Sequence, residues 1–600
     1  MIAAANISAA QWCTCRTNRP PRTSKEMSRV ELLMRLQGIN YGLPALLDPD
    51  EPFFMITGLK MIRHQTFNPG WFGHPGTTML YAIAIIEIGV YGIGLMTGRF
   101  ANAEAFAAAV YQDPGIAFLP ARYFFVGCGV ICVLLTILVA RKLFGDRIAL
   151  IAGLLLAINP LHIKWSQVVR TDVQATVFML LCVLASISVA RRGRWRDYLI
   201  AGAMAGLACA TKWPCAVVAM SLLAVGAGRI VRPGGDRRQE MVRLAVGMLA
   251  VPVTLVVVSP FLLLDSATVA SNVGGEAQLH HLGATGGSFL WNLSWYVTDP
   301  LAHSIGVLGI VLAMAGVVLA GRRSPEALAT LVPPVLIFFI AICSQRIIWA
   351  RWILPLLPFL SIFIAVAVVA AGGWLRGIRA GVPQWGLQVA MVTFMAVPMV
   401  ASARAEAIER QHDTRSRAAD WAKAHVPPSS TVMLEHLGID MLGQPWTFLT
   451  PAGAAGCVNA AYYLKGKISA DVVGGWRGKS SVVDLGTIDP STLAGCRADF
   501  AIFSDFDRYR AESSFYGDEL AIYRRYIRGG RQVAYFAPVP GRSGGPIVRI
   551  YQFSRAGGTP AAATSGTTRY HVRSISGPAM AALRLVPSSR TGNRKAARMF

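Results

Sequence analysis

The sequence predicts a polytopic α-helical membrane protein that ends in a small α/β domain. Of 600 residues, 54% are hydrophobic and only 15% are charged, whereas soluble domains carry about 25% charged residues. Apolar runs recur at lengths that suit a bilayer, and this pattern stops after residue 402. The net charge of +25 would suit a nucleic-acid binder. Many of its Lys and Arg residues instead sit in short clusters between apolar runs, as in the cytoplasmic loops of membrane proteins. The basic balance therefore points to membrane lipids as partner and not to nucleic acid.

Residues 1–29 form a polar N-terminal segment with Arg16, Arg19, Arg22, Lys25 and Arg29. The basic residues follow the only mildly apolar stretch, which is the wrong order for a signal peptide, and disorder is expected. Residues 30–402 read as the transmembrane domain, with a first outer loop over about 45–119. That loop holds the acidic turn Asp48-Pro49-Asp50-Glu51-Pro52 and an apolar stretch at 77–97. Spans follow at about 123–140, 148–163, 173–190, 198–211, 214–230, 244–264, 304–320, 327–343, 352–371 and 385–402, for a bundle of about 11 spans. Residues 403–555 read as an extracytoplasmic α/β domain. It has an amphipathic helix at 406–425 and short strands at Val432-Met433-Leu434, Phe500-Ala501-Ile502-Phe503 and Ile547-Val548-Arg549-Ile550. Residues 556–600, rich in Gly, Ser, Thr, Ala and Arg and without an acid, read as a basic disordered tail.

The basic clusters set the orientation. Arg141-Lys142 with Arg147, Arg191 to Arg196, Arg229 to Arg243, Arg322-Arg323, and Arg376 with Arg379 all read as cytoplasmic. Alternation then places the 160–172 turn, the span end at Lys212, the 265–303 loop and the 344–351 turn on the outer face, and it delivers the C-terminal domain outside. The acidic turn reaches that face only if 77–97 does not cross and a segment before residue 48 does. Residues 30–47 are the only remnant of such a span. Cys128, Cys132, Cys182, Cys209 and Cys343 lie in apolar runs as small hydrophobes. Cys457 and Cys496 are free to pair if their region meets an oxidising compartment.

Ionisable residues at membrane ends are candidate functional groups, because burying them is costly. Asp50 and Glu51 form a carboxylate pair suited to general-base work; a solvated acidic turn is the alternative. Arg170 and Asp172 open the span at 173, where they would bind an anion and orient a base, or where Asp172 simply caps the helix. Lys212 lies between two spans beside Trp213, and either snorkels or binds a lipid-linked phosphate. Arg346 and Arg351 stand on the outer face against the positive-inside tendency, as phosphate ligands would. His74 and His162 are further candidates, although a lone histidine is more often structural. The chain has no HExxH, CxxC, EF-hand or Walker pattern, so neither a metal nor ATP is expected.

These residues occur in a recognisable order. Gly38-Ile39-Asn40-Tyr41-Gly42-Leu43-Pro44, the acidic turn, His74-Pro75, Asn159-Pro160-Leu161-His162 with Ser166 and Asp172, and Arg351-Trp352-Ile353-Leu354-Pro355 together resemble bacterial glycosyltransferase family 39. Its members are relatives of the dolichyl-phosphate-mannose protein mannosyltransferases within the GT-C superfamily. The stretch from Asp413 through Asp420-Trp421-Ala422 to Pro427-Pro428 resembles the start of the outer domain of such proteins. The resemblance covers about residues 30–440.

The resemblance implies a GT-C-like bundle and an inverting hexosyl- or pentosyltransferase. The donor would be a polyprenyl-phosphate sugar, the only co-substrate implied, and the acceptor a protein, lipid or glycan. Asp50 would be the general base, assisted by Glu51 and Asp172, with Arg170, Lys212, Arg346 and Arg351 on the leaving phosphate. His74 and His162 would belong to the substrate loops. The first loop would contain surface-lying helices, and the site would face the periplasm from a bacterial inner membrane. The chain departs from the family in lacking a clear first span before Gly38 and in its basic tail. A transporter or lipid flippase would show repeats and ionisable groups at the bilayer midplane, and neither is seen. An inactive membrane scaffold is the third reading.

Overall fold

The structure is a computed structural model. It describes residues 32–276, 279–378, 384–435, 443–461 and 483–553, with positions 441, 472, 475 and 476. The segments read as disordered, 1–29 and 556–600, and the basic Arg379 lie outside the described residues.

Among the described residues, nine helices are long and apolar enough to cross a membrane, ten if one bent pair counts as a single span. This is slightly below the expected number. The stretch expected at 198–211 forms a helix of 17 residues, Trp195–Thr211, shorter than the others. The span expected at 148–163 is broken. Asp146–Ala157 and Pro160–Ser166 meet at a 62° bend, where Pro160 cannot continue the hydrogen-bond ladder and Asn159 caps the new helix by accepting from His162 N at 3.0 Å. The loop expected at 98–119 holds the Ala103–Gln112 helix, and the next span begins at Gly115 and runs to Phe144. The last span continues to Gln411, and a separate Thr414–His425 helix follows; a single helix over 406–425 is not formed.

The helices pack closely where side chains are smallest. Gly202 and Gly206, four residues apart on one helix, face the backbone of the Arg237–Val258 helix, and a Cβ at Gly202 would meet the carbonyl of Gly247. Such small residues let helix backbones approach where apolar surface alone gives little drive to associate. A continuous apolar core joins the spans from Cys128 to Met399.

The C-terminal domain is a six-stranded sheet in the order β3-β2-β1-β4-β6-β5, with β1 Thr431–Leu434, β2 Thr447–Pro451, β3 Cys457–Asn459, β4 Phe500–Phe503, β5 Gly530–Phe536 and β6 Val548–Phe553. β1 pairs in parallel with β2 and β4; the remaining pairs are antiparallel. β4 is buried at every position, as a central strand covered on both faces should be. Cys457 and Cys496 form a disulfide.

The domain is tied to the bundle. Arg415 donates to the carbonyl of Leu47 at 2.9 Å. Glu512 accepts from Gly283 N at 2.8 Å and Thr285 Oγ1 at 2.7 Å. The 283–286 segment in turn pairs with the approach to Arg351, through Ile348 N to Ala284 O and Gly286 N to Arg346 O, each 2.9 Å.

Candidate active site

The acidic turn folds into three unlike carboxylates. Asp48 accepts from the backbone N–H groups of Asp50 at 3.0 Å and Glu51 at 3.2 Å, so it shapes the turn that opens the Glu51–Arg63 helix. Glu51 is 1% exposed and takes a two-pronged bond from Arg122, at 3.0 Å to Oε1 and 2.6 Å to Oε2. Val169 N also donates to Oε1 at 2.9 Å. Burial pushes the Glu51 carboxyl up, and Arg122 opposes that shift. Buried and with both oxygens engaged, Glu51 holds the loop to the spans. Asp50 pairs with Arg170 on one side, yet its side chain is 40% exposed. Of the three it is the carboxylate open to solvent.

Arg170 precedes the Thr171–Arg192 helix and lies between Asp50 and Asp48, the latter at 3.1 Å. Burial lowers its proton affinity, and Asp48, Asp50 and Asp172 more than restore it, so it is a permanent cation. Asp172, in the first turn of that helix, pairs with Lys212. The alternative of a simple helix cap does not describe it: the position before the helix is Arg170, and no side chain caps it.

Lys212 ends the Trp195–Thr211 helix and is itself clamped by the segment that carries His74 and Pro75. Pro75 and Lys212 form a β-bridge, Trp213 N donates to His74 O at 2.6 Å, and Thr78 Oγ1 lies 2.6 Å from Thr211 Oγ1. The snorkelling alternative fails here, because the lysine is about 6% exposed and ion-paired.

His74 lies within this set. Burial first, then Lys212, with Arg351 and Arg170 adding to it against Asp172, pushes its imidazole down to about 3. It is neutral at physiological pH. Arg351 completes the cluster on a different principle. Its guanidinium lies 4.1 Å from the Trp349 ring centre, and it has no ion-pair partner among the described residues.

Two expected residues lie elsewhere. The Arg346 side chain is exposed and is represented in the network only by its carbonyl. His162 is buried against Arg35, with Nδ1 2.8 Å from Nη2, in a separate network that clamps residues 35–37 through Gln167. The sequence reading passed over Arg122, Trp165 and Glu276. Arg122 was masked by the apolar run around it. Glu276 lies at the end of the Ser266–Glu276 helix, with a carboxyl raised by burial and by Asp50. No group of three His, Cys, Asp or Glu side chains suited to a metal occurs among the described residues.

The arrangement defines a class: a multi-pass membrane protein with buried ion pairs at one end of its bundle, together with one accessible carboxylate and one arginine that has no ion-pair partner among the described residues. Residues 105–264 match the family model described as dolichyl-phosphate-mannose-protein mannosyltransferase, the family whose resemblance the motifs carry. No curated protein matches the chain. Among solved structures, the chain is similar to ArnT from Cupriavidus metallidurans bound to undecaprenyl phosphate, at 16% identity over 88% of this chain and 97% of that one, with a TM-score of 0.48. It is also similar to the oligosaccharyltransferase AglB from Archaeoglobus fulgidus in complex with an inhibitory peptide and a dolichol-phosphate. That similarity is at 13% identity over 89% and 74%, with a TM-score of 0.45.

Proposed function

We propose that the chain is an inverting glycosyltransferase. It moves a sugar from a polyprenyl-phosphate donor to a hydroxyl of a protein, lipid or glycan acceptor at the outer face of a bacterial inner membrane. Asp50 takes the proton of the acceptor hydroxyl, whose oxygen attacks the anomeric carbon as the bond to the phosphate oxygen breaks. The lipid phosphate leaves with one more negative charge than it carried as a diester. Arg351, with Lys212 and Arg170 beside it, stabilises that charge as it develops. Asp172 holds Lys212 in place, and Glu51 fixes the loop that carries Asp50. Neutral His74 adds no like charge to the phosphate site. The donor is already activated, so no nucleotide is required.

The observation that carries this reading is the contrast between an open Asp50 and an unpaired Arg351 within one set of buried ion pairs. The family match over residues 105–264 supports the reaction class. The Cys457–Cys496 disulfide supports an oxidising, periplasmic compartment for the C-terminal domain. The test is sugar transfer by the purified protein in liposomes, from polyprenyl-phosphate donors to an acceptor extract. Asp50→Asn and Asp172→Asn variants, verified as inserted, lose transfer; full activity in both overturns the mechanism.

A further inference from the structure

We propose that Trp165 is a positioning residue that holds Arg170 and Arg351 side by side as one phosphate cradle. The inference rests on the reading of this cluster as a lipid-phosphate site and adds the element that assembles it. Trp165 lies on the Pro160–Ser166 helix, beyond the 62° bend. Its ring centre is 5.1 Å from the Arg170 guanidinium carbon and 5.9 Å from that of Arg351. Lys164 Nζ lies 6.0 Å from the same ring but is drawn off toward Glu406 at 3.8 Å. Trp349 supports Arg351 from its own segment at 4.1 Å.

The physical problem at this site is like-charge repulsion. Arg170 has Asp48 and Asp50 to hold it. Arg351 has no carboxylate within ion-pair distance among the described residues; Asp172, Asp50 and Asp48 act on it from farther off, so something else must orient its guanidinium beside a second cation. An aromatic face attracts a guanidinium through its quadrupole and leaves the charge in place. A carboxylate would also fix the arginine, but it would occupy the donors and cancel the charge that a phosphate needs. Two tryptophan rings therefore orient Arg351 while leaving it able to bind an anion.

The choice of tryptophan has a cost that bulk filling would not explain. The Trp165 Nε1 hydrogen is buried with no acceptor among the described residues, as is Arg170 Nε. A buried unsatisfied donor is destabilising, and Phe or Leu would fill the space without one. The large indole face, the strongest of the aromatic cation partners, is what the alternatives lack.

The experiment measures binding of undecaprenyl phosphate to the full chain in detergent, and donor KM and kcat in liposomes. Trp165→Leu is expected to weaken binding about tenfold and to raise donor KM similarly, with kcat within about threefold, in keeping with the loss of two cation–π contacts. Trp165→Phe, which keeps a π face, stays within about threefold of the wild type. Trp349→Leu removes the other face of Arg351 and weakens binding in the same sense, which covers the case of a Trp165→Leu protein that does not insert. Arg351→Gln separates the two ideas. If it binds undecaprenyl phosphate as tightly as wild type, the phosphate-site reading itself is wrong. If Arg351→Gln weakens binding while Trp165→Leu does not, or if Trp165→Phe loses as much as Trp165→Leu, the positioning role is wrong and the phosphate site stands.

Discussion

The two ends of the helical bundle bury the same kinds of charged side chain and finish them differently. At one end, Glu240 accepts from Tyr198 at 2.6 Å, from Arg229 at 3.0 Å through each of two nitrogens, and from Arg243 at 2.8 Å. Arg229 also donates to the Ala190 carbonyl at 3.2 Å, and Arg192 pairs with Asp197 at 2.9 Å. Each of these carboxylates is engaged by a facing cation. At the other end, Asp48, Glu51 and Asp172 are similarly engaged, yet Asp50 stays open and Arg351 is held by rings. A saturated network ties four helices together. The other network keeps one accessible carboxylate and one arginine without an ion-pair partner among the described residues.

Substitutions at the two ends should therefore separate chemistry from stability. The largest effect is expected for Asp50→Asn. Loss of a general base costs about 10²–10⁴ in rate, while thermal unfolding in detergent stays near wild type because Arg170 keeps Asp48. A Tm drop that accounts for the lost activity would erase the contrast. Glu240→Gln is expected to do the reverse. Breaking a buried pair costs about 3–5 kcal/mol, so unfolding shifts down strongly while undecaprenyl phosphate affinity of the folded fraction is unchanged. Glu51→Gln, although it lies beside Asp50, is expected to follow Glu240 in stability, because Glu51 is locked between Arg122 and Val169.

Smaller effects sharpen the comparison. Arg351→Gln removes charged hydrogen bonds worth about 1.5–3 kcal/mol, and donor-phosphate affinity should fall about 10- to 100-fold with little change in Tm. The smallest effect concerns pH. His74 is neutral in the folded protein, with its imidazole pushed down to about 3, against about 6.5 when unfolded. Its contribution to stability is complete above about 6.5 and is lost as pH falls from there toward 3. Titrating activity between pH 5 and 8 should show no His74 limb, and His74→Gln should leave the shape of that profile unaltered. A limb that vanishes in His74→Gln would place a charged imidazole in the site.

Much of this was legible in the chain itself. The apolar runs and the basic clusters fixed where helices lie and which of their ends are alike, because membrane length and charge asymmetry are local properties. Six of the singled-out residues, Asp50, His74, Arg170, Asp172, Lys212 and Arg351, do come together. Arg346 and His162 do not join that cluster, because alternation gives only the end of a helix and not the direction of a side chain. The broken helix at Ile158 and Asn159 was read as one span because its hydropathy is continuous; the proline and the asparagine cap override it.

By itself, the sequence determined that this is a membrane protein with a small sheet domain and ionisable groups at one set of helix ends. Only tertiary structure decided which carboxylate is spent as a buried anchor and which is left open. Glu51 and Asp50 are neighbours in sequence, but Arg122, 71 residues from Glu51, engages one and leaves the other. The same holds for the cations: Lys212 meets a carboxylate 40 residues away, whereas Arg351 meets tryptophan rings. Charge is written in the residue, but whether it is compensated depends on partners that only the packed helices bring within reach.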